Sequence, residues 1–139
     1  MKRDLGDGYE LDDDPGRIDR GAVHRYLSEE SYWAAGRPRE VQDALIDGAA
    51  RVVGLYHEDR QVGFTRTLSD GHAQSYLADV YVLEEHRGRG FGVELVRFSV
   101  DEGPLAATKW FLHTTDAHEL YRRFGFTEPS ERALERWSS

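Results

Sequence analysis

Cysteine is absent from this chain of 139 residues. Disulfides, thiolate nucleophiles and cysteine-based zinc sites are thereby excluded together, and the absence suits a reducing compartment. No apolar run approaches the roughly 18 residues that a membrane-spanning helix needs. The opening stretch MKRDLGDGYELDDD has no apolar signal core either. The expectation is a cytoplasmic protein with no membrane partner. Positive charge is in deficit: 18 Lys and Arg stand against 26 Asp and Glu, a net charge of −8. This disfavours a nucleic-acid backbone as partner. It is compatible with a cationic small molecule or a lysine side chain, although most of the acids serve solubility.

Hydrophobic residues at 39%, aromatics at 12% and charged residues at 32% give the balance of a soluble globular chain with a thin core. The length fits one domain, residues 1–139, with one core of normal size. Residues 1–8 carry charge, two glycines and one large aliphatic, Leu5, and are expected to fray. A short strand is expected from Tyr9 to the acidic turn at Asp12-Asp13-Asp14. Asp19 can cap a helix whose apolar face is Ala22, Val23, Tyr26 and Leu27. An aromatic loop with Tyr32 and Trp33 follows, then a helix from Pro38 to Gly48. Three strands are expected over 51–57, 61–68 and 74–83, joined by tight turns as an antiparallel meander. A helix from Phe91 to about Glu102, a strand over 109–113, a helix capped by Asp116 and a last strand or hairpin from Phe126 to Trp137 complete the order. The pattern is a mixed α/β sheet, a meander followed by a β-α-β unit, with helices on both faces.

Chemistry concentrates where the third meander strand meets the next helix, at Arg87-Gly88-Arg89-Gly90-Phe91-Gly92. Glycines let a backbone turn tightly and approach a ligand. The helix behind exposes unpaired N–H groups and a positive dipole end, and the two arginines add charge. That combination suits a phosphate or diphosphate. The P-loop pattern is absent, because no Gly-Lys-Ser/Thr occurs, and the spacing G-x-G-x-G fails the dinucleotide fingerprint. The pattern [Q/R]-x-x-G-x-[G/A] is met by Arg87, Gly90 and Gly92.

The stretch from Asp79 to Gly92 thus resembles the acetyl-CoA-binding segment of the GNAT superfamily of N-acetyltransferases. Asp116 to Phe126 resembles that family's late helix, which carries a Tyr and ends in Gly-Phe. The resemblance implies a GNAT-like sheet of six or seven strands with about four helices. It also implies acetyl-CoA as co-substrate, no metal, and direct transfer to a primary amine in a ternary complex. The acceptor can be a small molecule or a peptide, and a homodimer is common in the family. The rival reading is a non-catalytic acyl-CoA-binding or sensor module of the same fold.

Residue by residue, the resemblance places the backbone of Val80, Tyr81 and Val82 along the pantetheine arm. It places the N–H groups of Arg87, Gly88, Arg89, Gly90, Phe91 and Gly92 on the diphosphate. Tyr121 matches the family's tyrosine at the leaving thiolate, either as acid or as hydrogen-bond donor; its place on an apolar stripe also allows a purely packing role. Asp79 is the nearest carboxylate for a base and equally a structural acid. Asp116 stands where many members have Asn, and either contacts the cofactor or only caps. Tyr32 and Trp33 either wall the acceptor site or pack on the protein's own helices. His113, Asp116 and His118 straddle a strand end and a helix start, so periodicity does not bring them together for a metal. No G-x-S-x-G occurs to suggest a serine hydrolase.

Overall fold

A computed structural model describes residues 1–138. Six strands form one sheet in chain order: β1 (Lys2–Gly6), β2 (Tyr9–Asp12), β3 (Arg51–His57), β4 (Arg60–Ser69), β5 (Gln74–Val82) and β6 (Lys109–Phe111). All neighbours are antiparallel except β5 and β6, which run parallel. The connection that makes them parallel contains α3 (Phe91–Val96), which continues as a π-helical turn over Arg97–Asp101. Before β3 lie α1 (Arg20–Glu30) and α2 (Arg39–Asp47), and α4 (His118–Arg122) follows β6. This is a mixed α/β sheet with four helices.

The helices cover both faces because successive strand residues point opposite ways. Val52 of β3 joins Val23, Leu27 and Ile46 of α1 and α2. Its neighbours Val53 and Leu55 pack with Leu95 and Phe98 of the α3 segment. A third cluster ties Val96 and Val100 to Tyr121 of α4 and Leu77 of β5. As the sequence suggests, Asp19 caps α1 by accepting the Ala22 N–H at 3.0 Å.

Two expectations are corrected. Residues 1–8 are not frayed. Lys2, Arg3 and Asp4 pair with Asp12, Leu11 and Glu10 through a turn in which Gly6, Asp7 and Gly8 all take positive φ. Gly and Asp are among the residues that tolerate this backbone. The amino terminus is also tied to Asp13 at 2.6 Å. The segment from Phe126 to Trp137 forms no strand. Pro129 removes a ladder donor, and the Ala133 N–H closes a turn onto the Ser130 carbonyl at 3.0 Å.

Candidate functional site

β5 is the strand on which the site is built. Its first three residues, Gln74, Ser75 and Tyr76, pair with Lys109, Trp110 and Phe111 of β6, and there that pairing stops. On the other side β4 accompanies β5 to Val82, but with one irregularity. Phe64 faces Tyr81 and Arg66 faces Ala78, so Asp79 and Val80 together oppose Thr65. Asp79 is the bulged residue, with φ +56°. Bulges bend a strand and raise its twist, and here the bend follows directly after β6 ends.

Three donors hold that bulge. Arg66 Nε reaches the Asp79 carboxylate at 2.8 Å, Arg37 at 3.0 Å and Trp33 Nε1 at 2.9 Å. Burial pushes the Asp79 carboxyl up, but Arg66 and then Arg37 outweigh it and hold the group below the usual carboxylate range. A base needs a free lone pair and a proton affinity near the working pH. Three donors already occupy the two Asp79 oxygens and its proton affinity is held low, which favours the structural reading of this residue over the base.

Beyond the bulge, the Leu83 N–H bonds back to the Val62 carbonyl at 2.8 Å. Alternation along a strand then turns the polar groups of Val82 and Val80 the other way, toward the space β6 has vacated. Arg87 Nε takes the Val82 carbonyl at 2.8 Å. Tyr81 belongs to the opposite set: its side chain is buried and stacks on Tyr26 at 4.0 Å. Its backbone groups therefore face β4 and not the gap.

The strand leads into a short 3₁₀ turn at Glu84–His86 and then the glycine turn. Gly88 and Gly90 have φ of +81° and +84°, and a Cβ at either would meet no heavy atom within 4 Å. The surface over the turn is open on the side where side chains would stand. Gly90 caps α3, and the first helical bond is Glu94 N–H to the Gly90 carbonyl at 3.1 Å. The N–H groups of Phe91, Gly92 and Val93 precede it and have no intrahelical partner. The arginines brace this turn. Arg87 also donates to the Tyr26 hydroxyl at 2.9 Å, and Arg89 to the Tyr9 hydroxyl at 3.2 Å. Phe91 packs on Tyr9 with ring centroids 4.1 Å apart.

A cleft of about 900 Å³ opens on the gap. Tyr32, Trp33, Tyr76, Val80, His113 and Tyr121 are on its walls. The half-exposed Tyr32 is fixed by the Thr115 N–H, which donates to its hydroxyl at 3.0 Å. Trp33 is fixed by Asp79, so both aromatics face the cleft. Tyr121 is buried, and its hydroxyl makes no hydrogen bond to any described residue. Burial pushes it up to about 12. Asp116 also lines the cleft but does not cap α4. Ala117 occupies the cap position, and its N–H is taken by Thr114 Oγ1 at 3.1 Å.

The sequence reading missed Arg37, Arg66, Tyr76 and Glu135. Arg66 was within reach: it stands nearly opposite Asp79 in adjoining strands of the expected meander, and a buried carboxylate requires such a partner. His113 was weighed only as a metal ligand. Among the described residues no group of three or more His, Asp or Glu could hold a metal ion. No helix among them is long and apolar enough to cross a membrane.

Comparison with known proteins gives one consistent answer. Residues 48–128 match the family described as acetyltransferase (GNAT) domain. A crystal structure of a GNAT-family protein from Xanthomonas campestris pv. campestris is 36% identical. It aligns over 94% of this chain and 93% of its own, with a TM-score of 0.88. An inferred acetyltransferase of Deinococcus radiodurans R1 shares the fold with a TM-score of 0.73 and 23% identity, over 96% of this chain and 92% of its own. Protein FG08082 of Gibberella zeae, also an inferred acetyltransferase, is 27% identical over 88% of this chain and 81% of its own.

Proposed function

The chain belongs to the GNAT acetyltransferase family, and on that premise we propose that it moves an acetyl group from acetyl-CoA to a primary amine, directly and within a ternary complex. The observation that carries this reading is the edge of β5 that β6 leaves unpaired at Val80 and at the Val82 N–H, running into an open glycine turn. An extended ligand can add itself to such an edge as an extra strand. The open space over Gly88 and Gly90 fits a diphosphate on the amides that follow.

In this reading each group has one task. The amides of Val80 and Val82 align the pantetheine arm, and one of them polarises the thioester carbonyl. Such a donor contributes about 3–4 kcal/mol in other acyl transfers. The amides from Gly88 to Gly92 take the diphosphate, each dipole contact contributing about 0.3–1 kcal/mol. Arg87 and Arg89 hold the turn's shape and add positive field. Tyr81 holds β5 against β4 and α1. Asp116 stands at the cleft beside the co-substrate. Tyr32 and Trp33 wall the acceptor side.

Tyr121 stabilises the leaving sulfur by donating a hydrogen bond. Against a reference thiol near 8.5, a phenol near 12 would surrender its proton only at a cost of about 5 kcal/mol. A hydrogen bond stabilises the thiolate without that transfer. The homodimer and the cytoplasmic location belong to the same reading.

Release of free thiol from acetyl-CoA over a panel of polyamines, aminoglycosides, amino acids and peptides tests it. Turnover on at least one amine is expected. Tight binding of CoA with no turnover on any amine would favour a binding module of the same fold.

A further inference from the structure

With Asp79 neutralised by two arginines, the cleft needs another group to accept the amine's proton. The structure offers a row of three side chains from three separate parts of the chain. Tyr76 of β5 bonds through its hydroxyl to His113 Nδ1. His113 Nε2 in turn lies 2.8 Å from Glu135 Oε2, in the carboxy-terminal segment. An ionised carboxylate can only accept, so Nε2 carries the ring hydrogen and donates it to Glu135. Nδ1 is then the acceptor, and the Tyr76 hydroxyl donates to it. The row has one direction, with its open end at the Tyr76 oxygen in the cleft.

We propose that Tyr76, His113 and Glu135 form a proton relay that deprotonates the acceptor amine, an inference that rests on the transferase reading above. The amine arrives as an ammonium and must lose two protons. The first passes to the Tyr76 oxygen while the tyrosine's own proton moves to His113 Nδ1. The freed amine attacks the thioester carbonyl carbon, the C–N bond forms, the C–S bond breaks and the electron pair leaves on sulfur. The second amine proton goes to that sulfur. His113, with 57% of its side chain exposed, returns the first proton to solvent. Glu135 fixes the ring's tautomer and orientation.

The position supports the assignment. Tyr76 is the last β5 residue paired with β6, so its side chain stands where the gap begins. His113 follows β6 by two residues. The absence of a final strand now has a consequence, since the loose run after Pro129 brings Glu135 to the cleft. Trp137 closes the row, its ring 6.1 Å from His113. The charged and titratable groups that face it are Asp79 and Arg66 from β5 and β4, Arg37 and Asp116 from loops, and Arg136 beside Glu135 on one side, with Lys109 of β6, His118 and Arg122 of α4 and Glu128 on the other.

The test measures kcat against pH for the native protein, Tyr76→Phe, His113→Gln and Glu135→Gln, with CoA affinity by calorimetry as a second readout. His113→Gln is expected to lower kcat by 10²-fold or more and to leave CoA affinity within about twofold. Glu135→Gln should lose about tenfold, and Glu135→Asp should restore the rate in part. His113 and Glu135 are exposed and Tyr76 is half-buried, and an unchanged thermal transition will show that the variants fold. An unaltered profile in the variants, with the native protein active, overturns the relay alone. A parallel loss of CoA affinity overturns it in favour of a packing role. No turnover by the native protein overturns the transferase reading and the relay with it.

Discussion

Arg66 donates from Nε to the carboxylate of Asp79 at 2.8 Å, and the residue that receives it holds a left-handed backbone at φ +56°. A buried charge pair thus sits on the bulge that turns β5 from β6. Removing one partner of such a pair strands the other in a poor solvent. Asp79→Asn keeps a residue that tolerates positive φ and removes only the charge. A loss of about 3 kcal/mol at pH 7 is expected by urea unfolding. Because the folded carboxyl lies below its unfolded value near 3.9, the pair's contribution is complete above that pH and fades as the pH falls below it. The variant should lose this acid-side dependence. Residual activity with an unshifted pH profile will confirm that Asp79 is no base.

Gly90→Ala separates binding from folding. Alanine at φ +84° costs about 1–2 kcal/mol of stability. Its methyl group also projects into the open space over the turn. CoA affinity is therefore expected to fall at least tenfold by calorimetry, while the thermal transition drops only by a few degrees.

Tyr121→Phe should divide stability from catalysis in the other direction. The hydroxyl has no hydrogen-bond partner among the described residues, so its removal leaves no orphaned group behind. Urea unfolding is expected to stay within about 0.5 kcal/mol of native. The value of kcat should drop by about 10–100-fold, as loss of a hydrogen bond to a developing thiolate requires. With the phenol near 12, no limb of the native pH profile below pH 11 should vanish in the variant.

Much of this was legible before any coordinates. The glycine turn, the meander and the stripe of α4 are local patterns, and local patterns survive tertiary context. What stayed hidden depended on distant pairing. The β1 hairpin was masked because Lys2, Arg3 and Asp4 read as solvent-exposed charge, although one side of an edge strand is expected to look that way. The bulge at Asp79 depends on Arg37, 42 residues away. Glu135 lies 22 residues beyond His113, in a segment without periodicity that could be placed only in three dimensions.

Gly54→Ala probes the sheet apart from the site. A Cβ there would stand 2.4 Å from the Tyr56 hydroxyl, on a ring that is fully buried and lies beneath the Arg17 guanidinium at 3.8 Å. The ring has no room to retreat, so overpacking should cost about 2–3 kcal/mol in urea unfolding.

The central claim is that coenzyme A lies along the free edge of β5 with its diphosphate on the glycine turn. Backbone amide shifts followed by NMR during a titration with CoA test it residue by residue. The largest changes are expected at Val80, Val82 and residues 88–93, with Tyr81 moving less. Changes confined to another surface, or none at saturating CoA on folded protein, would contradict it.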